Sequence, residues 1–192
     1  MHRWDNFGYN GATFLPHFDT SGTVGGMHLH PLVTPLELLI GTWSGEGQGN
    51  YPTIDAFRYR ETVTFSAAPN KPFLRYEQKT QSADGTPMHT ELGFLRPTGD
   101  GKIEFVLAQP TGQTESLEGT LLIDEGGQVQ ISVASAQVTN TAAAKQVDAT
   151  KREYAFTPAA GDVAAHALTR FDMAAVGEPM QQHLVSELSK QG

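Results

Sequence analysis

The sequence predicts an all-β protein: an antiparallel up-and-down β-barrel of about ten strands, with a short helix at each end of the patterned region. Three observations carry that expectation. Short segments of alternating apolar and polar residues recur along the chain, as in Phe57-Arg58-Tyr59-Arg60-Glu61-Thr62-Val63-Thr64-Phe65. Turn formers separate them: Pro69-Asn70-Lys71-Pro72, Asp84-Gly85, Gly99-Asp100-Gly101, Thr111-Gly112 and Gly126-Gly127. No helical period intervenes between the strands, and a closed meander removes the exposed edges that so many strands would otherwise present.

In chain order, residues 1–33 are rich in Gly, His, Asn and Thr without a sustained period, and read as an irregular N-terminal arm. Trp4, Phe7, Phe14 and Phe18 are the side chains by which that arm would pack on the domain, residues 34–192. Thr34-Pro35-Leu36-Glu37 is a helix start, with Thr34 as N-cap, Pro35 in the first turn and Glu37 closing a capping box. Gly41 soon ends it, so the helix is a plug or lid. Strands then follow from Thr42: Phe57–Phe65, Phe73–Thr80, Met88–Leu95, Ile103–Ala108, Thr114–Leu122, Val129–Val133, Thr150–Phe156 and Ala164–Met173. A second helix is expected over Glu178–Lys190. It would place Met180, His183, Leu184, Glu187 and Leu188 on one face.

Composition narrows the function. At 192 residues the chain suits one domain with a sizeable core. The formal net charge of -8 argues against nucleic acid or an anionic membrane as partner. The absence of cysteine excludes disulfides, thiolate metal sites and cysteine nucleophiles. With no apolar leader at the start and no run of transmembrane length, a cytoplasmic protein is expected.

The residues that carry chemistry are few. His28 and His30 flank Leu29 but lack a third ligand at sensible spacing. His89 could face the barrel interior or water, His166 reads as structural, and His2 and His17 carry no signal. Arg58, Arg60, Arg75, Arg96 and Arg170 read as the solvent face, paired with Glu61, Glu77 or Glu91 across strands. No carboxylate pair, phosphate loop or serine triad emerges. Taken alone, His183 reads as a half-buried residue of an amphipathic helix.

More specific is Gly41-Thr42-Trp43-Ser44-Gly45-Glu46-Gly47, where Trp43 can close one end of a barrel and Gly41, Gly45 and Gly47 let backbones approach. It runs into Gly49-Asn50-Tyr51-Pro52-Thr53-Ile54. Later come Lys71-Pro72-Phe73-Leu74-Arg75-Tyr76, Met88 to Arg96, Glu104 to Gly112, and Val176 to Leu184. Together these stretches resemble the nitrobindin family of haem-binding barrels, over about residues 35 to 190.

That resemblance implies haem b, one per chain, with His183 as axial ligand to the iron and as the catalytic residue. It implies Thr53 as a pocket contact and Lys145 as a partner for a propionate. The activity it implies is nitric oxide binding and isomerisation of peroxynitrite to nitrate, in a monomer or homodimer whose other partners are small molecules. A single axial histidine leaves one position on the iron open, which that chemistry requires. The fold motif equally suits a non-catalytic carrier of a lipid or other apolar ligand. A third reading is a haem-based nitric oxide sensor signalling through the arm.

Overall fold

The computed structural model describes residues 23–24 and 26–192. Trp4, Phe7, Phe14, Phe18, His2 and His17 lie outside the described residues. A two-strand hairpin, β1 (Thr23–Val24) and β2 (Met27–His28), precedes a 3-10 helix over Thr34–Leu39. Ten antiparallel strands then close into a barrel. They are β3 (Gly41–Tyr51), β4 (Ile54–Ala67), β5 (Leu74–Gln81), β6 (Pro87–Gly99), β7 (Lys102–Ala108), β8 (Gln113–Ile123), β9 (Val129–Asn140), β10 (Val147–Thr157), β11 (His166–Ala175) and β12 (Glu178–Lys190). Each pairs with its neighbour in sequence, and the ring closes where β12 meets β3. The expected up-and-down barrel is therefore the fold.

One end is sealed by a dry core. Leu36 and Leu39 of the 3-10 helix are fully buried with Trp43, whose Nε1 donates to the Leu39 carbonyl at 2.9 Å. The Trp43 ring meets Phe156 edge-on at 5.1 Å, and Phe156 meets Phe65 at 5.8 Å. Plug and Trp43 thus close the barrel as the sequence indicates. The capping box does not form. The turn begins earlier, where the His30 carbonyl accepts the amides of Val33 and Thr34, so Val33 takes the cap position without a side-chain cap bond. Leu29 and Val33, within the expected arm, belong to the core.

The expected helix over 178–190 is a strand. Val176 (φ 50°) and Gly177 (φ 86°) form a two-residue reversal, and β12 hydrogen-bonds to β11 on one edge and β3 on the other. From Leu184 onward the side chains alternate, with Ser186 and Leu188 buried and Glu187 and Ser189 exposed. What mimics a helical period is a β-bulge. Phe171 pairs with Leu184 and Asp172 with Gln182, leaving His183 as the extra residue.

Close approach at the closing seam depends on glycine. A Cβ at Gly45 would run into the Glu187 carbonyl oxygen, and one at Gly49 into the Phe57 ring. We expect Gly45→Ala to lower stability by about 1–3 kcal/mol, read as a lower urea midpoint at unchanged slope.

Candidate functional site

The open end of the barrel leads into a cavity of about 270 Å³, with His183 at its wall. The bulge on β12 turns His183 and its neighbour Leu184 toward the same space. The end of β3 holds the ring in place: its Nδ1 lies 3.1 Å from the Asn50 carbonyl oxygen. A carbonyl only accepts, so Nδ1 carries the hydrogen and the Nε2 lone pair is left free. Tyr51, Phe57 and Phe171 surround the imidazole with ring centroids at 5.3, 6.2 and 6.1 Å. Tyr51 is fixed in turn, its hydroxyl accepting the Ala175 amide at 2.9 Å. Burial pushes the His183 pKa down, against the opposing pull of the Asn50 carbonyl, so the ring is a neutral imidazole near neutral pH.

Below this aromatic collar the cavity is polar. Arg152, on β10, points inward with its side chain 6% exposed. It grips Glu91 of β6 with both terminal nitrogens, at 2.9 and 2.8 Å, and reaches Glu115 of β8 at 2.9 Å. Thr150 donates to the other oxygen of Glu115. The guanidinium lies over the Phe171 ring, 4.4 Å from its centroid, which ties the floor to the collar. His89, facing inward, reaches Glu91 at 3.5 Å. Burial alone would raise the Glu91 carboxyl, but the charge and hydrogen bonds of Arg152, with His89, outweigh it and hold it at about 2. Glu61, beside it and bonded to Gln78 at 3.1 Å, has no ion-pair partner among the described residues, and burial raises its pKa. Gln78 Oε1 and Arg152 Nε are buried without a protein partner among the described residues.

This arrangement corrects the sequence expectation for the charged strand residues. Glu61 and Glu91 face the interior, and neither pairs with the exterior arginines. Arg96 pairs with Glu104, Arg170 with Asp172 and Glu77 with Lys79, each at 2.8 Å. The period of 2 contains the reason: Glu61 shares its face with Tyr59, Val63 and Phe65, and Arg152 with Tyr154 and Phe156. Arg152, Glu115, Tyr51 and Phe57 were not singled out from sequence, although that same parity marks the first two as interior.

Of the other expected site residues, Thr53 is exposed in the β3–β4 turn beside Tyr51, and Lys145 is exposed between β9 and β10. Neither side chain lines the cavity. Lys145 contributes its carbonyl, which accepts from Gln113 at 2.8 Å. Gly41, Trp43, Gly45 and Gly47 belong to the closed end and the seam. Among the described residues, no group of three or more His, Asp or Glu is placed to hold a bare metal ion. A metal on His183 would need its other ligands from the group that carries it, which an aromatic slot and one free imidazole nitrogen suit.

Comparison with known proteins places this geometry in context. The family model for a THAP4-like, heme-binding beta-barrel domain matches residues 32–190. Peroxynitrite isomerase 1 of Mycolicibacterium paratuberculosis is 42% identical over 164 residues, covering 85% of this chain and 97% of that protein. The peroxynitrite isomerase of Nocardia farcinica is 42% identical over 163 residues, 84% of this chain and 92% of its own. A protein of Arabidopsis thaliana named peroxynitrite isomerase Rv2717c is 40% identical over 84% of this chain and 90% of its own. The crystal structure of Rv2717c from M. tuberculosis superposes with a TM-score of 0.78 at 37% identity, covering 85% of this chain and 99% of that one.

The floor gives a test of sign. Glu91 has a folded pKa below its ordinary value, so its contribution is whole above ~pH 4.5 and is lost as pH falls toward ~2. Arg152→Met strands two buried carboxylates and should cost about 3–5 kcal/mol near neutral pH. Its acid dependence should reverse, with stability first rising on mild acidification as the stranded Glu91 takes up a proton. Urea titrations across pH read both outcomes.

Proposed function

We propose a haem-dependent isomerase, from the premise that this chain belongs to the THAP4-like haem-binding β-barrel domain family. The single observation that carries the reading is His183: a neutral imidazole, fixed in tautomer by the Asn50 carbonyl, with Nε2 free at the cavity wall. In this reading His183 would hold the iron of haem b, one per chain. Bound haem b would supply an iron with one open position, able to take nitric oxide when ferrous and to return peroxynitrite as nitrate when ferric.

The chain's own residues do the rest. Asn50 orients the ligand ring and, by accepting from Nδ1–H, makes Nε2 a better donor. Tyr51, Phe57 and Phe171 exclude water from its flanks. Thr53 and Lys145, exposed outside the cavity, suit contact with groups that stay in solvent, such as propionates. The reading as a non-catalytic carrier of a lipid or other apolar ligand finds less support: Arg152, the arginine pointing into the cavity, is already paired with Glu91 and Glu115 and so is not free to take a lipid carboxylate. A cytoplasmic location and a monomer or homodimer complete the proposal. Small molecules are its other partners.

Reconstitution with haemin tests it. Wild-type protein should develop a Soret band that His183→Ala abolishes or strongly shifts, with the barrel's circular dichroism unchanged. Because burial lowers the His183 pKa, haem uptake should persist below ~pH 6.5 and weaken only at lower pH. Nitrate yield from peroxynitrite should rise with bound haem and fall to the uncatalysed level in the variant. A Soret band in His183→Ala identical to wild type would reject His183 as ligand. Haem binding without faster nitrate formation would leave a haem carrier.

A further inference from the structure

β6 repeats, on the facing wall, the device that presents His183. Thr80 of β5 pairs with His89 and Gln81 with Pro87, which leaves Met88 as an extra residue in the ladder. Adjacent residues of a regular strand point to opposite faces. At this bulge Met88 and His89 both line the cavity, as His183 and Leu184 do at the bulge on β12. β6 stands four places from β12 round the ring of ten strands, close to diametrically opposite. One cavity is therefore met by an imidazole from each of two opposing walls.

The surroundings of His89 fix its position and its hydrogen. Its amide donates to Thr80 Oγ1 at 3.0 Å, which anchors the strand beside the bulge. Its Nε2 lies 3.5 Å from Glu91 Oε1. Glu91, kept ionised against its burial by Arg152, can only accept, so hydrogen sits on His89 Nε2 and Nδ1 keeps its lone pair. The carboxylates of the cavity are committed or shut away. Glu91 and Glu115 are bonded to Arg152, and Glu61 is buried with an oxygen taken by Gln78. The His89 side chain is 30% exposed, so a proton taken there has a way out to solvent.

We propose that His89 is the general base of the site, taking the proton of an incoming weak acid that must bind as its anion. The role rests on His183 holding haem. Peroxynitrous acid is such an acid: its O–H bond breaks, an N–H bond forms at His89 Nδ1, and the electron pair stays with the peroxynitrite anion. The imidazolium so formed complements the charge of that anion. Nitrate leaves as an anion too, and the imidazolium returns its proton to solvent, so His89 is neither oxidised nor reduced.

Haemin-reconstituted protein tests this with two probes. Near neutral pH cyanide is present as its weak acid and must shed a proton to bind ferric haem, whereas nitric oxide carries none. His89→Leu should slow cyanide association, followed at the Soret band, by about 100-fold, the lower end of what a positioned general base contributes. Nitric oxide association should be unchanged. Should leucine prevent haem uptake, His89→Gln, polar but unable to accept a proton near neutral pH, should show the same split. Equal cyanide rates in wild type and variant, with equal Soret bands, would overturn the proposal and leave His183 as haem ligand standing. Equal slowing of both probes would overturn it as well, because a wall that merely shapes the cavity acts on both. A wild-type protein without a Soret band would overturn the haem reading and the role of His89 with it.

Discussion

The seam where β12 meets β3 is the constraint on which the rest depends. Ten strands become a barrel only if the last can lie against the first, and Gly45 makes that possible by leaving room for the Glu187 carbonyl. The same seam, followed to its other end, sets the site. Gly49 pairs with Leu184, the bulge at His183 comes next, and the Asn50 carbonyl is then within reach of the imidazole. Closure and the placement of His183 are one piece of backbone geometry. The tight glycine pairings that hold the barrel shut also fix how far the histidine stands from the strand that orients it.

Beneath the collar, the barrel carries a cost that a purely apolar interior would avoid. Burying Arg152 with Glu91 and Glu115 takes three charges out of water, and such groups seldom stabilise a fold beyond what well-packed apolar residues would achieve. Their geometry suggests what they provide instead. Three strands, β6, β8 and β10, are tied at one depth by bonds of 2.8–2.9 Å, and the guanidinium carries Phe171 on its face. Slippage of any of these strands by one residue would leave a buried charge unpaired, at a cost of several kcal/mol. The polar floor therefore pins register around the cavity, and through Phe171 it fixes part of the collar around His183.

Much of the fold was legible in the sequence because a strand repeats every two residues and its turns are chemically marked. The alternation in Phe57–Phe65 and the glycine-rich turns give the meander, and Gly41 to Gly47 give its closed end. Two features were not legible. Residues 178–190 look helical because the bulge at His183 shifts the alternation by one residue, and a shifted period of 2 places Met180, His183, Leu184 and Leu188 at spacings a helix would also produce. The polar floor was hidden for a different reason. Charged residues on strands are ordinarily outside, so Glu61 and Glu91 read as partners of exterior arginines, although Val63, Phe65 and Leu95 share their faces. Parity outweighs charge here because each buried carboxylate has a partner on another strand, Arg152 for Glu91 from a strand 61 residues on, and Gln78 for Glu61 from the adjoining β5. Single-strand patterns cannot display that pairing.

The sequence places His183 on a helix whereas the structure sets it on a bulged strand, and the difference has a consequence. On a helix, Nδ1 would have to find an acceptor among side chains, and the ring could rotate with the helix end. On a bulged strand its acceptor is a backbone carbonyl of the neighbouring strand, which cannot be lost by mutation of a side chain. The imidazole's tautomer is thus set by the fold itself. Side-chain substitutions around the collar would change access and packing, whereas the identity of the nitrogen left free depends only on β12 remaining against β3.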